Sequence, residues 1–127
     1  MTSEPLAIQH HRAAPAGTRY QLIAEDLHEC LAALATRENA ELVRDLLSDL
    51  PWERIHRASP ELRCALYQTV RRALDVLAVW LELPTGPTEP AREVSRRYQA
   101  ALDLYNRSHR AARALAQRER DGVGSPT

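Results

Sequence analysis

Apolar side chains recur at spacings of three and four residues along most of this chain, a pattern typical of amphipathic helices. The first such stripe lies between Arg19 and Ala35 and consists of Tyr20, Ile23, Leu27, Cys30, Leu31 and Leu34. It predicts a helix from about Arg19 to Ala35. The preceding residues, 1–18, contain two prolines and a glycine and no helical period, so we expect a disordered N-terminal tail there.

A second stripe predicts a helix from about Glu38 to Leu50, and its inward positions are Leu42, Val43, Leu46, Leu47 and Leu50. Pro51 cannot donate to the helical ladder, so the helix ends before it. The segment "PWERIHRA" then reads as a short helical turn. Trp52 lies at the start of this turn, where a core or inter-helix contact is expected. The alternative is a half-exposed position that suits a protein interface.

The start of a third helix is marked by Ser59 as a cap, Pro60 at the first helical position and Glu61 at the positive end of the helix dipole. Its second half, "ALDVLAVWLEL", is interrupted only by Asp75 and Glu82. A helix that is apolar nearly all round is buried by neighbours on several sides. We therefore expect this third helix to be the buried centre of the fold.

The segment "PTGPTEP" predicts an interruption of helical structure, and a long fourth helix is predicted from about Glu89 to Arg120. Its apolar positions alternate in steps of four and three residues: Val94, Tyr98, Ala101, Tyr105, Ser108, Ala112 and Leu115. This heptad seam is made of small and aromatic residues rather than leucine and isoleucine. Packing in a bundle groove is therefore favoured over a leucine zipper.

These four helices predict an all-α, four-helix bundle-like single domain with a buried third helix and a long, basic, amphipathic C-terminal helix. The length of 127 residues suits one domain, and 44% hydrophobic residues suffice for a core. We expect a flexible tail over residues 1–18, the helical bundle over residues 19–121 and a flexible C-terminus over residues 122–127.

The formal charge is zero overall but is unevenly distributed along the chain. Residues 21–50 contain seven acids and two arginines, whereas residues 90–127 contain eight arginines and four acids. This asymmetry predicts an acidic face on the first two helices and a basic face on the last. The two faces could match each other within the molecule or meet different partners.

Most arginines of the last helix lie on the side opposite the heptad seam when they are placed at 100° per residue. This arginine face consists of Arg92, Arg96, Arg107, Arg110, Arg113, Arg118 and Arg120. The tyrosines lie on the seam instead. Because single-strand-binding platforms place aromatic rings among their cations, the pattern predicts contact with phosphates at most. A purely solvated face is the other interpretation.

No catalytic constellation lies on the predicted inward faces. The E-x-x-H tetrads, Glu25 with His28 and Glu53 with His56, do not point inward as a di-iron bundle requires. The cysteines, Cys30 and Cys64, fall inside predicted helices and are expected to be buried thiols.

We therefore expect a protein that is not an enzyme and that has no cofactor and no metal. Residues 1–18 lack the apolar core of a signal peptide, and no apolar run reaches the ~18 residues of a membrane span. A cytoplasmic location without membrane contact is expected.

These features predict a non-enzymatic protein–protein interaction module: a small subunit, adaptor, inhibitor or regulator of a larger protein partner, recognised through the acidic and basic faces. The candidate partner-binding residues are Arg92, Arg96, Arg107, Arg110, Arg113 and Trp52. The alternative is a nucleic-acid-associated accessory subunit of a ribonucleoprotein complex. A homodimer is a further expectation, because the seam and the opposite charges could both act between copies.

Overall fold

The computed structural model describes residues 5–82 and 89–123, and the side chains of the last helix from residue 92 to residue 121. The fold is α+β. Three strands form an antiparallel sheet in the order β1-β2-β3: β1 (Leu6–His10), β2 (Tyr20–Ala24) and β3 (Glu29–Leu34). Three helices follow: α1 (Arg37–Leu47), α2 (Pro60–Glu82) and α3 (Glu89–Val123). Short 3₁₀ segments lie at Ala16–Thr18 and at Trp52–Arg57; the second is named here the linking turn.

The predicted all-α four-helix bundle is wrong, because the segment expected to be its first helix is a β-hairpin. Leu22 pairs with Ala32 and Tyr20 pairs with Leu34 in antiparallel register. These apolar residues are spaced by two along each strand, and pairing places them against the core. The apolar residues of this segment also happen to be spaced as in a helix, but strand pairing is what forms here.

The disordered tail predicted at the N-terminus is also wrong for its central part. Residues Leu6 to His10 pair with β2, from Leu6 opposite Ala24 to His10 opposite Tyr20. The side chain of Leu6 is buried in the core. A five-residue strand carries too little periodicity to be recognised alone, and its stability comes from the hairpin beside it.

The other predicted helices are confirmed in position. Thr36 caps α1, because its hydroxyl accepts from the amide of Asn39 at 3.1 Å. Ser59 does the same for α2 by accepting from the amide of Leu62 at 3.1 Å. Most of the break predicted between α2 and α3 lies outside the described residues, as does the chain beyond Val123.

The third helix is not buried all round as predicted. One face of α2 enters the core through Leu62, Leu66, Thr69, Val70, Ala73, Val76 and Leu77. Its last turns carry Trp80 and Leu81, which are 51% and 61% exposed. Within residues 5–82 and 89–123, neighbouring elements cover only one side of α2 at this end. No helix within the described ranges is long and apolar enough to cross a membrane.

The heptad seam of α3 packs against the rest of the molecule, as predicted for a bundle groove. Tyr105 and Ala112 are its most buried members. The Tyr105 hydroxyl donates a hydrogen bond to the carbonyl oxygen of Leu46, which attaches α3 to α1. Burial raises the pKa of Tyr105, and the charge of Asp49 acts in the same direction.

Candidate interaction surfaces

An apolar groove lies between α1, the end of α2 and the first half of α3. Its volume is about 310 Å³, and it is lined by Leu42, Asp45, Leu46, Val76, Leu77, Trp80 and Tyr98. Six of these seven residues are apolar or aromatic. The groove is therefore a concave surface whose floor belongs to the core and whose rim is exposed to solvent.

The rim is made mainly by Trp80 and Leu42. Trp80 is 51% exposed and Leu42 is 44% exposed. Single exposed leucines are ordinary on protein surfaces, but a contiguous apolar patch that includes a tryptophan is typical of interaction sites. This groove was not anticipated from the sequence, which placed Trp80 inside a buried helix.

Contacts between α2 and α3 hold the aromatic wall of the groove in place. The rings of Trp80 and Tyr98 have centroids 5.7 Å apart and are tilted by 59°. Beside them, Arg97 on α3 donates to the carboxylate of Glu82 on α2 at 2.6 Å. A half-exposed ion pair adds little stability, at most about 1 kcal/mol. The ion pair joins the end of α2 to α3 and places a positive charge beside Glu82.

Carboxylates flank the groove on the α1 side. Asp45 lines it, and Glu38 and Glu41 lie within one turn of Leu42 on the same helix. The acidic region predicted from the sequence is therefore real on α1. Of its other members, Glu25, Asp26 and Glu29 lie in the β-hairpin, and Asp49 follows the end of α1.

The arginine face of α3 is exposed, as the helical wheel predicted. Arg92, Arg96, Arg107, Arg110 and Arg113 all have solvent-accessible side chains. Tyr98 and Tyr105 point into the seam, so no aromatic ring lies among these cations within the described part of α3. Partner binding by these arginines stays a prediction.

Acidic and basic side chains lie together in one cleft beside α3. A polar cleft of about 350 Å³ brings Asp49 and Glu53 together with Arg113 and Arg120. Nearby, burial lowers the pKa of His109, Asp49 opposes the shift and Arg113 adds to it. The acidic and basic regions therefore meet at the C-terminal half of α3.

Trp52 is fully buried, which confirms the core contact expected for it and excludes the half-exposed alternative. Its indole nitrogen donates to the carbonyl oxygen of Leu47 at 2.8 Å, at the C-terminal end of α1. Pro51 turns the chain so that the ring lies beneath α1. Trp52 is thus a core residue that closes a helix end.

The structure joins His56 to Asp26, a pair that sequence reasoning missed. Asp26 accepts from the amide of His56 at 2.7 Å and contacts its Nδ1 at 2.5 Å. Partial burial raises the pKa of Asp26, but the hydrogen bonds from His56 and the charge of Arg57 outweigh it, so the pKa is lowered. The pair attaches the β2–β3 turn to the linking turn. Thirty residues separate the two in sequence, and no local pattern links them.

The two cysteines are exposed rather than buried as predicted, and both thiols are free. Cys30 lies on the edge strand β3, and Cys64 lies on the outer face of α2. The sequence placed Cys30 in a helix that does not exist, which explains the error for that residue.

No family model, no curated protein and no solved structure matches this chain. The surfaces of the molecule are therefore the basis for inferring its function. Among them, the groove is the most apolar concave surface, and the arginine face is the most strongly charged.

Proposed function

We propose that this protein is a non-enzymatic interaction module that takes an amphipathic helix of a larger protein partner into the groove. The observation that carries the proposal is the exposed Trp80 on the rim of an apolar groove, opposite the exposed Leu42. Helix-in-groove recognition uses such surfaces, and tryptophan is enriched among the residues that dominate interface energy.

The size of the groove favours a helix that inserts a few side chains. A cavity of ~150 Å³ accommodates a benzene ring, so a volume of about 310 Å³ fits roughly two large apolar side chains. Neighbouring anchors on one helix face are spaced by three or four residues. A partner helix with two such anchors therefore matches the groove.

The charge around the groove favours a basic partner helix. Asp45 lines the groove and Glu38 and Glu41 lie within one turn of Leu42 on α1, whereas Glu82 is paired with Arg97. Arginine or lysine residues beside the apolar stripe of a partner would complement these acids. Such complementarity sets the choice of partner and the association rate more than the affinity.

The arginine face of α3 is a second surface of the same module, suited to an acidic region of the partner. Both thiols of this chain are free and exposed, which is consistent with a reducing compartment, and we include a cytoplasmic location in the proposal.

Affinity capture from the host lysate tests this proposal with three variants of the chain: wild type, L42E/W80A and L104E. Leu104 is the matched control, because it is an exposed leucine on α3 that does not line the groove. We expect a protein that binds wild type and L104E, resists nuclease treatment and is lost with L42E/W80A. Capture that is equal in all three variants would contradict the groove as the binding site.

Peptides from the captured protein then identify the bound segment. Trp52 is buried, so acrylamide quenching of tryptophan fluorescence in the purified chain reports mainly on Trp80. A basic amphipathic peptide should protect Trp80 from acrylamide, and a peptide with its apolar anchors changed to serine should not. Light scattering distinguishes a second copy of this chain as the occupant.

The exposed line of arginines on α3 favours a second candidate function, that of a nucleic-acid-associated accessory subunit of a ribonucleoprotein complex. In that case every captured protein is lost after nuclease treatment. Five phosphate contacts would also give a slope of about −4 for the logarithm of affinity against the logarithm of salt concentration. An apolar groove gives a much shallower slope.

A further inference from the structure

A second cavity, separate from the groove, lies between the linking turn, the start of α2 and the end of α3. Its volume is about 160 Å³. The floor is apolar and consists of Pro51, Ala58, Leu62 and Ala116. The rim is charged and consists of Arg54, Arg57, Glu119 and Arg120. We name it the arginine cavity, because three arginines from two elements border one apolar floor.

The single carboxylate of the rim is already engaged by Ser59. Glu119 accepts from the amide of Ser59 at 3.0 Å and from the Ser59 hydroxyl. That hydroxyl in turn accepts from the amide of Leu62 as the α2 cap. Within the described part of the chain, no carboxylate forms an ion pair with the three guanidinium groups of the rim. An excess of positive charge thus borders the cavity.

The wall that carries two of these arginines is held in place without a ligand. Arg63 on α2 donates to the carbonyl oxygens of Ile55 and His56, at 3.1 and 2.8 Å. The Asp26–His56 contact holds the same turn from the other side. A preformed wall reduces the entropy lost when a ligand binds.

We propose that the arginine cavity binds a small carboxylate with an apolar body about the size of benzoate. The apolar body covers Leu62 and Ala116, and the carboxylate meets the guanidinium groups of Arg54 and Arg57, which suit paired hydrogen bonds to two oxygens. The volume resembles the ~150 Å³ that accommodates benzene. It lies below the ~300 Å³ of typical drug-sized sites, so the ligand is compact.

The neighbouring polar cleft limits the position of the anion. It shares Pro51, Ala116 and Arg120 with the arginine cavity but adds the carboxylates of Asp49 and Glu53. These acids repel an anion, which is therefore confined to the side of Arg54 and Arg57. An anion without an apolar body would leave the floor of the cavity in contact with water, so inorganic phosphate should bind more weakly.

Titration of the full ¹⁵N-labelled chain with benzoate tests this inference by two-dimensional NMR. We expect saturable shifts of the amides in residues 54–63 and 112–121, with a Kd on the order of 1 mM for so small a ligand. Inorganic phosphate and benzyl alcohol, which each keep half of the ligand's chemistry, should bind at least roughly tenfold more weakly.

Two variants remove the two halves of the site. R54Q/R57Q removes the guanidinium groups, and A116L fills the floor; each should weaken benzoate binding by roughly tenfold or more. R107Q/R110Q is the matched control, with two exposed arginines of α3 outside the cavity, and its Kd should be unchanged. The spectrum of each free variant checks its fold, and R54Q/R57Q changes only exposed side chains.

Three results would each overturn the inference. The first is an absence of saturable shifts up to about 50 mM benzoate, far above the expected Kd. The second is binding that R54Q/R57Q leaves unchanged. The third is phosphate binding as tight as benzoate binding, which would mean a general anion patch without an apolar subsite.

Discussion

The two ends of α2 differ in how they are covered by the rest of the molecule. At the first end, Ser59 joins the cap of α2 to Glu119 on α3, and Arg63 holds the linking turn. At the other end, Trp80 and Leu81 are more than half exposed. Both ends are rich in apolar residues, so composition does not explain the difference. The neighbouring elements explain the difference, because the linking turn covers only the first end of α2.

The covered end of α2 belongs to a region held by hydrogen bonds, and the uncovered end belongs to an open apolar surface. The covered end forms a small cavity whose polar groups are arranged by hydrogen bonds. The uncovered end contributes to a larger apolar groove, whose exposed rim would lose its contact with water when a partner binds. The groove proposed for partner recognition therefore lies at the end of α2 opposite to the one that these hydrogen bonds hold.

The largest expected change in the free energy of unfolding is that of L66A at the covered end of α2, compared with L81A at the uncovered end. Leu66 is fully buried and Leu81 is 61% exposed. L66A removes core contacts and leaves a cavity, so it should lower the free energy of unfolding by about 2–5 kcal/mol. L81A should change it by less than about 0.5 kcal/mol. Urea denaturation followed by circular dichroism measures both, and equal losses would contradict the contrast between the two ends.

A smaller effect is expected from removal of the cap at the covered end. S59A removes the hydroxyl that caps α2 and that contacts Glu119, so it should lower the free energy of unfolding by about 1–2 kcal/mol. S95A, at an exposed position of α3, is the control and should be close to neutral. If E119Q and S59A showed strictly additive losses, the Ser59–Glu119 contact would have no coupling energy.

The smallest expected effect concerns the Asp26–His56 contact, which supports the covered end from the sheet side. The pKa of Asp26 is lowered in the folded state, so its contribution to stability is present above its unfolded pKa, about 3.9, and is lost as the pH falls through the folded value. D26N should therefore remove the loss of stability that protonation of Asp26 causes at low pH. Urea midpoints of wild type and D26N between pH 6 and 2.5 test it, and parallel curves would contradict it.

The sheet was not predicted because particular residues of the strands and of their turn lack the usual hairpin signals. The β2–β3 turn has no glycine, although His28 adopts a positive φ of 51° there, so the usual hairpin signal is missing. Ala24 and Ala32 are buried but small, which weakens the alternation of apolar and polar positions along the strands. The apolar spacing from Tyr20 to Leu34 fitted a helix as well as a hairpin, and only pairing between strands decided it.

Local sequence patterns were sufficient to predict α1, α2 and α3, the Ser59 cap of α2, the seam of α3 and the exposed arginine face, because each depends on residues within a few turns of one another. Which of the two tryptophans is buried depends instead on tertiary contacts. Trp52 is covered by α1, to which its indole nitrogen donates, whereas among the residues that the structure describes none covers the outer side of α2 at Trp80. Burial depends on neighbours that are distant in the chain, and the periodicity of a single helix does not encode them.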